Sequence, residues 1–296
     1  MSVQKPEVSI GMPVYNGAEF LGVAIDSLLA QTLGNFELVI SDNASTDATE
    51  SICRDYAAKD ARINYQRNTV NIGASENYNS VFRRSTAPYF KWASSNDYCA
   101  PEFLARCVEV LNANADTALV YPRTRLFRVT LDDAQDYQDS VDIRDENAVV
   151  RFERVIAQLG LNNIMNGVMR SAPLKRTPLI KPFFASDCVL MAELALYGKI
   201  IEYPEFLFYR RMDEKTATKL KSAEEVLRHY DPELKNPMLF QEWKIMREYF
   251  AAVARSGLPL RQKLAAFSRL LRQASWRRQK LGADLLQAIR GSVDRN

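Results

Sequence analysis

Three short polar clusters in the first hundred residues hold the side chains best suited to chemistry: Pro13-Val14-Tyr15-Asn16, Asp42-Asn43-Ala44-Ser45-Thr46-Asp47 and Ser94-Ser95-Asn96-Asp97. An ionised carboxylate only accepts hydrogen bonds. It is also the ligand that Mg²⁺ and Mn²⁺ take from a protein while substrate phosphates supply oxygens of their own. Taken singly, each cluster also reads as a turn, because Asn, Asp, Ser and Thr cap helices and close Asx-turns. Position separates the two readings.

Each cluster directly follows an apolar run. Val8–Val14 and residues 36–40 read as strands, with 63–66, 89–93 and 118–121 as weaker candidates. Between the first two, Leu21, Ala24, Ile25, Leu28 and Leu29 recur at helical spacing. Phe103, Cys107, Val110 and Leu111 do the same after Pro101, a residue suited to a first helical turn. Strands alternating with helices imply an α/β fold with a mainly parallel sheet covered on both faces. Such a sheet binds ligands beyond the carboxyl ends of its strands. All three clusters sit at those ends, so they are expected to converge on one crevice.

Residues 123–186 are less regular, with a strand pair expected near 123–129 and a helix over 146–159. A helical pattern over 187–197 leads into an extended apolar run over 200–209. Beyond about residue 215 only helical patterns remain. Leu260, Leu264, Phe267 and Leu271 form one stripe, and Leu281, Leu285 and Ile289 another.

PVYN followed by DNASTD at this spacing resembles the family 2 glycosyltransferases and their nucleotide-sugar fold, GT-A, over about residues 8–211. The resemblance implies a GT-A-like catalytic domain over residues 1–215 and a helical C-terminal extension over 216–296. The nearest alternatives on this sheet type lack their signatures. Strand one leads into GMPVYNG rather than GxGxxG, and the glycine-rich, lysine-containing loop of sugar-nucleotide pyrophosphorylases is missing.

By this resemblance Tyr15 lies against the nucleobase, framed by the Pro13 backbone, and Asp42 accepts a hydrogen bond from the base edge. Asn71 and Gly73, in NIGASEN, belong to a loop near the donor, where glycine permits close backbone approach. Asp97 matches the last acidic residue of the metal-holding DxD motif, with Asn96 standing where a carboxylate is usual. The implied cofactor is a divalent cation, Mn²⁺ or Mg²⁺, which as a Lewis acid offsets the charge gathered by a nucleotide diphosphate leaving group. Arg210 and Arg211 follow the last apolar run. Their guanidinium forks suit diphosphate oxygens, and a plain surface role is equally open. Asp213 stands at or near a histidine position of many relatives, so it either ligates the cation or marks a lost ligand.

The acceptor side needs a base. His229, the only histidine, reads as a solvated helix-face residue, which leaves a carboxylate. Asp187, in FFASDCVLMAELALYG, falls where the family places its catalytic Asp at a helix start. An ordinary N-cap is its competing role, and Glu193 is the second candidate base. The implied reaction moves a sugar from a nucleotide-sugar donor, a UDP-sugar, to a saccharide, lipid-linked or other hydroxyl acceptor. It does so with inversion, through an oxocarbenium-like state, in building a surface polysaccharide or glycoconjugate. Asn96 and Asp213 keep a second reading open, a non-catalytic nucleotide-sugar-binding homologue.

A net charge of +3 over 296 residues gives no argument for a nucleic-acid partner. The charge is unevenly placed: Arg261, Lys263, Arg269, Arg272, Arg277, Arg278 and Lys280 fall in a stretch without Asp or Glu, and the remainder carries −4. That stretch reads either as a helix on an anionic membrane face or as helices packing their leucine stripe on the catalytic domain or a second subunit. No apolar run reaches the ~18 residues needed to cross a bilayer. The opening MSVQKPEVSIGMPVYNG lacks a cationic segment followed by an apolar one. The four cysteines fit no zinc or redox spacing. The expected location is cytoplasmic, with reduced thiols, peripheral to the membrane on the first of the two readings.

Overall fold

β1 (Val8–Val14) is buried along its whole length, which is why its sequence is nearly continuous in apolar residues: it has a neighbour on each edge and helices on both faces. The computed structural model describes residues 5–138, 141–212 and 240–293. After β1 come α1 (Ala18–Leu29), β2 (Phe36–Asp42), α2 (Thr49–Lys59), β3 (Ile63–Arg67), α3 (Ala74–Arg83) and β4 (Tyr89–Trp92). The strands pair in the order β3-β2-β1-β4, all parallel. α2 buries only Thr49 and Cys53, and α3 buries Asn77 and Asn79 beside Val81 and Phe82, so neither shows a clear apolar stripe.

β5 (Tyr98–Cys99), α4 (Phe103–Ala113), β6 (Thr117–Phe127), β7 (Gln135–Asp136), α5 (Ala148–Gln158), β8 (Val168–Arg170), α6 (Ser171–Leu174), α7 (Ser186–Ala195) and β9 (Lys199–Arg211) follow. They extend the sheet as β4-β8-β6-β9-β5. Here the parallel expectation gives way to a mixed sheet. β8 is antiparallel to both β4 and β6, and β5 is antiparallel to β9, while β6 and β9 remain parallel. The strand pair expected near 123–129 is the far end of the single strand β6, with the short β7 folded back on it.

The core lies on both sheet faces. One cluster joins Ile10 and Ile40 to Leu21, Ile25, Phe103 and Leu111 of α1 and α4. The other joins Phe90 and Trp92 to Phe152 and Leu190. It continues into α8 (Gln241–Arg255), α9 (Leu260–Trp276) and α10 (Arg278–Val293) through Ile245, Tyr249, Leu270 and Leu281. The C-terminal helices therefore share the apolar cluster of the sheet, and the boundary expected near residue 215 falls outside the described residues. On α9 the leucines of the stripe are not its packed face. Ala266 and Leu270 form the buried face and Phe267 stacks on Phe250, while Leu260, Leu264 and Leu271 are exposed.

Candidate active site

The first two polar clusters hold each other in place. Asn16 adopts a left-handed conformation, with φ of 49°, and its N–H donates to Ser45 Oγ at 2.9 Å. The N–H of Gly17 donates to Thr49 Oγ1 at 3.0 Å and that of Ala18 to Asp47 Oδ2 at 3.1 Å. In return Thr46 N–H donates to Asn16 Oδ1 at 2.8 Å. α1 has no capping side chain of its own, so the second cluster satisfies amides that a helix start otherwise leaves unpaired. This mutual capping is why the two motifs occur together. The third cluster closes in from β4: a Cβ on Gly17 would stand 2.9 Å from Ser95 Oγ.

Asp42 is engaged by groups of the protein itself. Its side chain is fully buried, with Oδ1 accepting from Ser45 N–H and Oδ2 from the Tyr65 hydroxyl, each at 2.9 Å. Arg67 Nε lies 3.7 Å from Oδ2. A carboxylate so engaged organises the turn, and each of its oxygens keeps further acceptor capacity. Burial, then the Asp42 carboxylate, pushes the Tyr65 hydroxyl well above its ordinary range, so it remains a donor. Beside it Asn43 donates to Asn71 Oδ1 at 2.7 Å and accepts from Ile72 N–H. Asn71 Oδ1 also accepts from Gly73 N–H at 2.9 Å. Gly73 has φ of 79°, a region open to glycine at little steric cost. Pro13 is buried within β1, and the Tyr15 ring is 51% exposed, leaving a free aromatic face.

Asp97 lies half-buried after β4, its Oδ1 accepting from Arg211 N–H at 2.9 Å. A cavity of about 210 Å³ beside it is walled by Phe20, Val23, Phe127 and Leu131. Burial pushes the Asp97 carboxyl up to about 6, against the opposing pull of Arg210, Lys91 and Arg211. Lys91 itself is fully buried, donating to the carbonyls of Trp92 and Asn166 with its Nζ 4.4 Å from the Phe103 ring centroid. Asn96 Oδ1 accepts from the Ser94 hydroxyl at 2.6 Å.

The two arginines after the last apolar run part company. The Arg211 guanidinium is held between Phe20 and Phe127, 3.8 and 4.5 Å from their ring centroids. Its Nε and Nη1 donate to the carbonyls of Asn96, Arg128 and Val129, which braces the walls. Arg210 donates to Asn163 Oδ1 at 2.8 Å. Asp213 and His229 lie outside the described residues.

Among the described residues no three His, Cys, Asp or Glu side chains gather as a cation site. With its Oδ1 engaged by a backbone amide, Asp97 fits a cation that takes one carboxylate from the protein and its remaining ligands from phosphate and water. It does not fit a cation held by protein alone.

Asp187 is not an N-cap. Ala185, with φ of 61°, occupies the cap position of α7 and makes no side-chain cap bond. Asp187 stands inside the first turn, half-buried, and its Oδ2 accepts from Asn162 Nδ2 at 2.8 Å. Glu193 is unsuited to proton transfer because Arg255 grips both of its oxygens at 2.7 Å. The sequence did not single out Tyr78. Its hydroxyl is pushed up to about 12, by burial first and then by Asp97 and Asp187, with Arg210 opposing, so it stays protonated and able to donate.

Residues 9–180 match the family model for glycosyl transferase family 2. The chain belongs to this family. Among relatives of this family 2 glycosyltransferase is the uncharacterized glycosyltransferase RP339 of Rickettsia prowazekii, 35% identical over 111 residues, which are 38% of this chain and 34% of that protein. Glycosyltransferase GlyA of Streptococcus pneumoniae is 28% identical over 114 residues, 38% of this chain and 16% of its own. The match thus spans about a third or less of these relatives' length. S. aureus TarS 1-349, solved with UDP-GlcNAc, has the same fold at a TM-score of 0.67 and 17% identity, covering 90% of this chain and 72% of that one. Mannosyltransferase PcManGT from Pyrobaculum calidifontis, solved with GDP-Man and Mn²⁺, follows at a TM-score of 0.55 and 17% identity, covering 99% and 82%.

Proposed function

We propose that this chain transfers a sugar from a UDP-type donor to a hydroxyl acceptor with inversion at the anomeric carbon, Asp187 serving as base and Asp97 holding a divalent cation. One observation carries the reading: Arg211 donates its N–H to Asp97, its neighbour Arg210 donates to Asn163, and the adjoining Asn162 donates to Asp187, so one run of contacts joins the two carboxylates and a cation suited to phosphate. The UDP preference is supported by TarS, the nearer in shape of the two structures compared, which was solved with UDP-GlcNAc.

When bound, the cation offsets charge on the departing diphosphate. Arg210 adds a guanidinium on the same side, and the protonated Tyr78 hydroxyl donates to a phosphate or sugar oxygen. Asn162 holds one Asp187 oxygen at 2.8 Å, which directs the carboxylate toward the acceptor. Asp187 takes the acceptor hydroxyl proton as that oxygen attacks the anomeric carbon and the bond to the diphosphate oxygen breaks. The acceptor is a saccharide, a lipid-linked sugar or another alcohol, and the product belongs to a surface glycoconjugate. The site faces the cytoplasm. Among the described residues no helix is long and apolar enough to cross a membrane.

A nucleotide-sugar binder without turnover is the second reading, favoured by Asn96, whose carboxamide oxygen is taken by Ser94. Titration of UDP, GDP and dTDP with and without Mn²⁺, followed by a donor-hydrolysis and transfer assay, separates the two. Metal-linked UDP binding with turnover supports the transferase, and tight binding without turnover the binder.

A further inference from the structure

α9 exposes two kinds of side chain on adjoining strips. At ~100° of rotation per residue, Leu260, Leu264 and Leu271 fall within ~40° of one another, and they are 71%, 58% and 62% exposed. Arg261 and Arg272 are exposed on the neighbouring strip. Trp276 is 70% exposed, with the Arg272 guanidinium 5.4 Å from its ring centroid. A separate face, Ala266 and Leu270, fixes the helix to the protein, and the three leucines stand outside that packing. Three large apolar side chains aligned on one exposed face mark an interaction surface.

The charge pattern says what covers it. No Asp or Glu occurs between Tyr249 and Ala283. Arg269 is paired with Glu153 and Arg277 with Glu242, and Lys263 donates to the Ala254 carbonyl. Arg261, Arg272, Arg278 and Lys280 are left as exposed cations. A second copy of the chain, docked face to face about a two-fold axis, would set this basic strip against itself. An anionic bilayer surface does the reverse: the leucines enter the acyl boundary, while Trp276, beyond the arginine strip, sits at the interface and the guanidinium and ammonium groups remain at the headgroups.

We propose that α9 and the start of α10 form a docking face for an anionic membrane surface. The surface is independent of the transfer reaction, since none of these side chains is among the residues that hold Asp97, Arg210 and Asp187.

The test is cosedimentation of the full chain with phosphatidylcholine vesicles, with and without about a third of phosphatidylglycerol, at low and high salt. The unaltered chain is expected to bind the anionic vesicles and to release from them at high salt. Trp276 emission should shift to the blue on binding, and the shift should vanish in Trp276→Phe. The fourfold variant R261E/R272E/R278E/K280E should partition at least ~10²-fold more weakly, and L260S/L264S/L271S at least ~10-fold more weakly. Both variants should keep the melting temperature and UDP affinity of the parent. Three results would overturn the proposal: no binding to anionic vesicles at low salt, equal binding by the charge-reversed variant, or a concentration-dependent dimer in solution that L264R dissolves, which would assign the face to a second copy.

Discussion

Asn162 donates from its carboxamide to Oδ2 of Asp187 across 2.8 Å, joining the turn before β8 to the first turn of α7. The bond holds a charged acceptor, and hydrogen bonds of this kind contribute more than neutral ones. Asn162→Ala should lower the rate of sugar transfer by ~10- to 100-fold, the equivalent of a charge-assisted bond of about 1.5–3 kcal/mol. Donor affinity should stay within a few-fold of the parent. A fall in donor affinity with unchanged turnover would place Asn162 on the donor side instead.

Burial holds the Asp97 carboxyl up at about 6, above its value in an unfolded chain. The folded state therefore retains a proton that the unfolded state has lost, and stability falls as pH rises from about 4 to about 6. Asp97→Asn still offers an oxygen to Arg211 N–H and carries no charge to desolvate. In the absence of nucleotide and metal it should be more stable than the parent at pH 7 by about 1–3 kcal/mol, and the gain should vanish below about pH 4. The same variant should lose the Mn²⁺-dependent gain in UDP affinity and all turnover. Thermal melts across pH, paired with UDP titrations, check both halves. A less stable variant at pH 7, or one that keeps metal-stimulated activity, counts against this role for Asp97.

Tyr78→Phe removes a hydroxyl pushed up to about 12 and leaves the ring in place. Transfer should fall by roughly 3- to 30-fold, the loss of one hydrogen bond to substrate, with thermal stability near that of the parent. Unchanged kinetics would show that the hydroxyl touches no substrate.

The cysteines should be unreactive in the folded protein. Burial pushes the Cys53 thiol up to about 12, with Asp42 and Asp47 adding to it. Cys99, Cys107 and Cys188 are raised by burial as well, Cys188 also by Asp187. The thiolate is the reactive form. Aromatic disulfide reagents at pH 8 should label none of the four quickly until denaturant is added. Rapid labelling of a native thiol would contradict the packing around it.

What could be read from the sequence depended on how local each signal was. β1 and β2 were legible because strands buried on both faces are mostly apolar. The clusters that follow them were legible as one site because strand ends share one side of a parallel sheet. The bond from Tyr65 to Asp42 was not legible because Tyr65 lies on another strand, and Tyr78 was passed over because α3 is anchored by asparagines in place of an apolar stripe. Arg210 and Arg211 could have been separated beforehand: neighbours on a strand face opposite ways, so only one could reach the crevice. The stripe on α9 was legible as apolar, but helical spacing groups residues without saying which face meets the protein, so the sequence left packing and exposure both open.

Turnover by Asp187→Asn tests the central claim most directly. The substitution keeps the shape of the side chain and an oxygen for Asn162 to donate to, and it removes the ability to take a proton. Sugar transfer should fall by at least ~10²-fold, with UDP-sugar affinity within a few-fold of the parent and an unchanged melting temperature. Transfer at near-parental rate by a folded Asp187→Asn protein would contradict the assignment of the base.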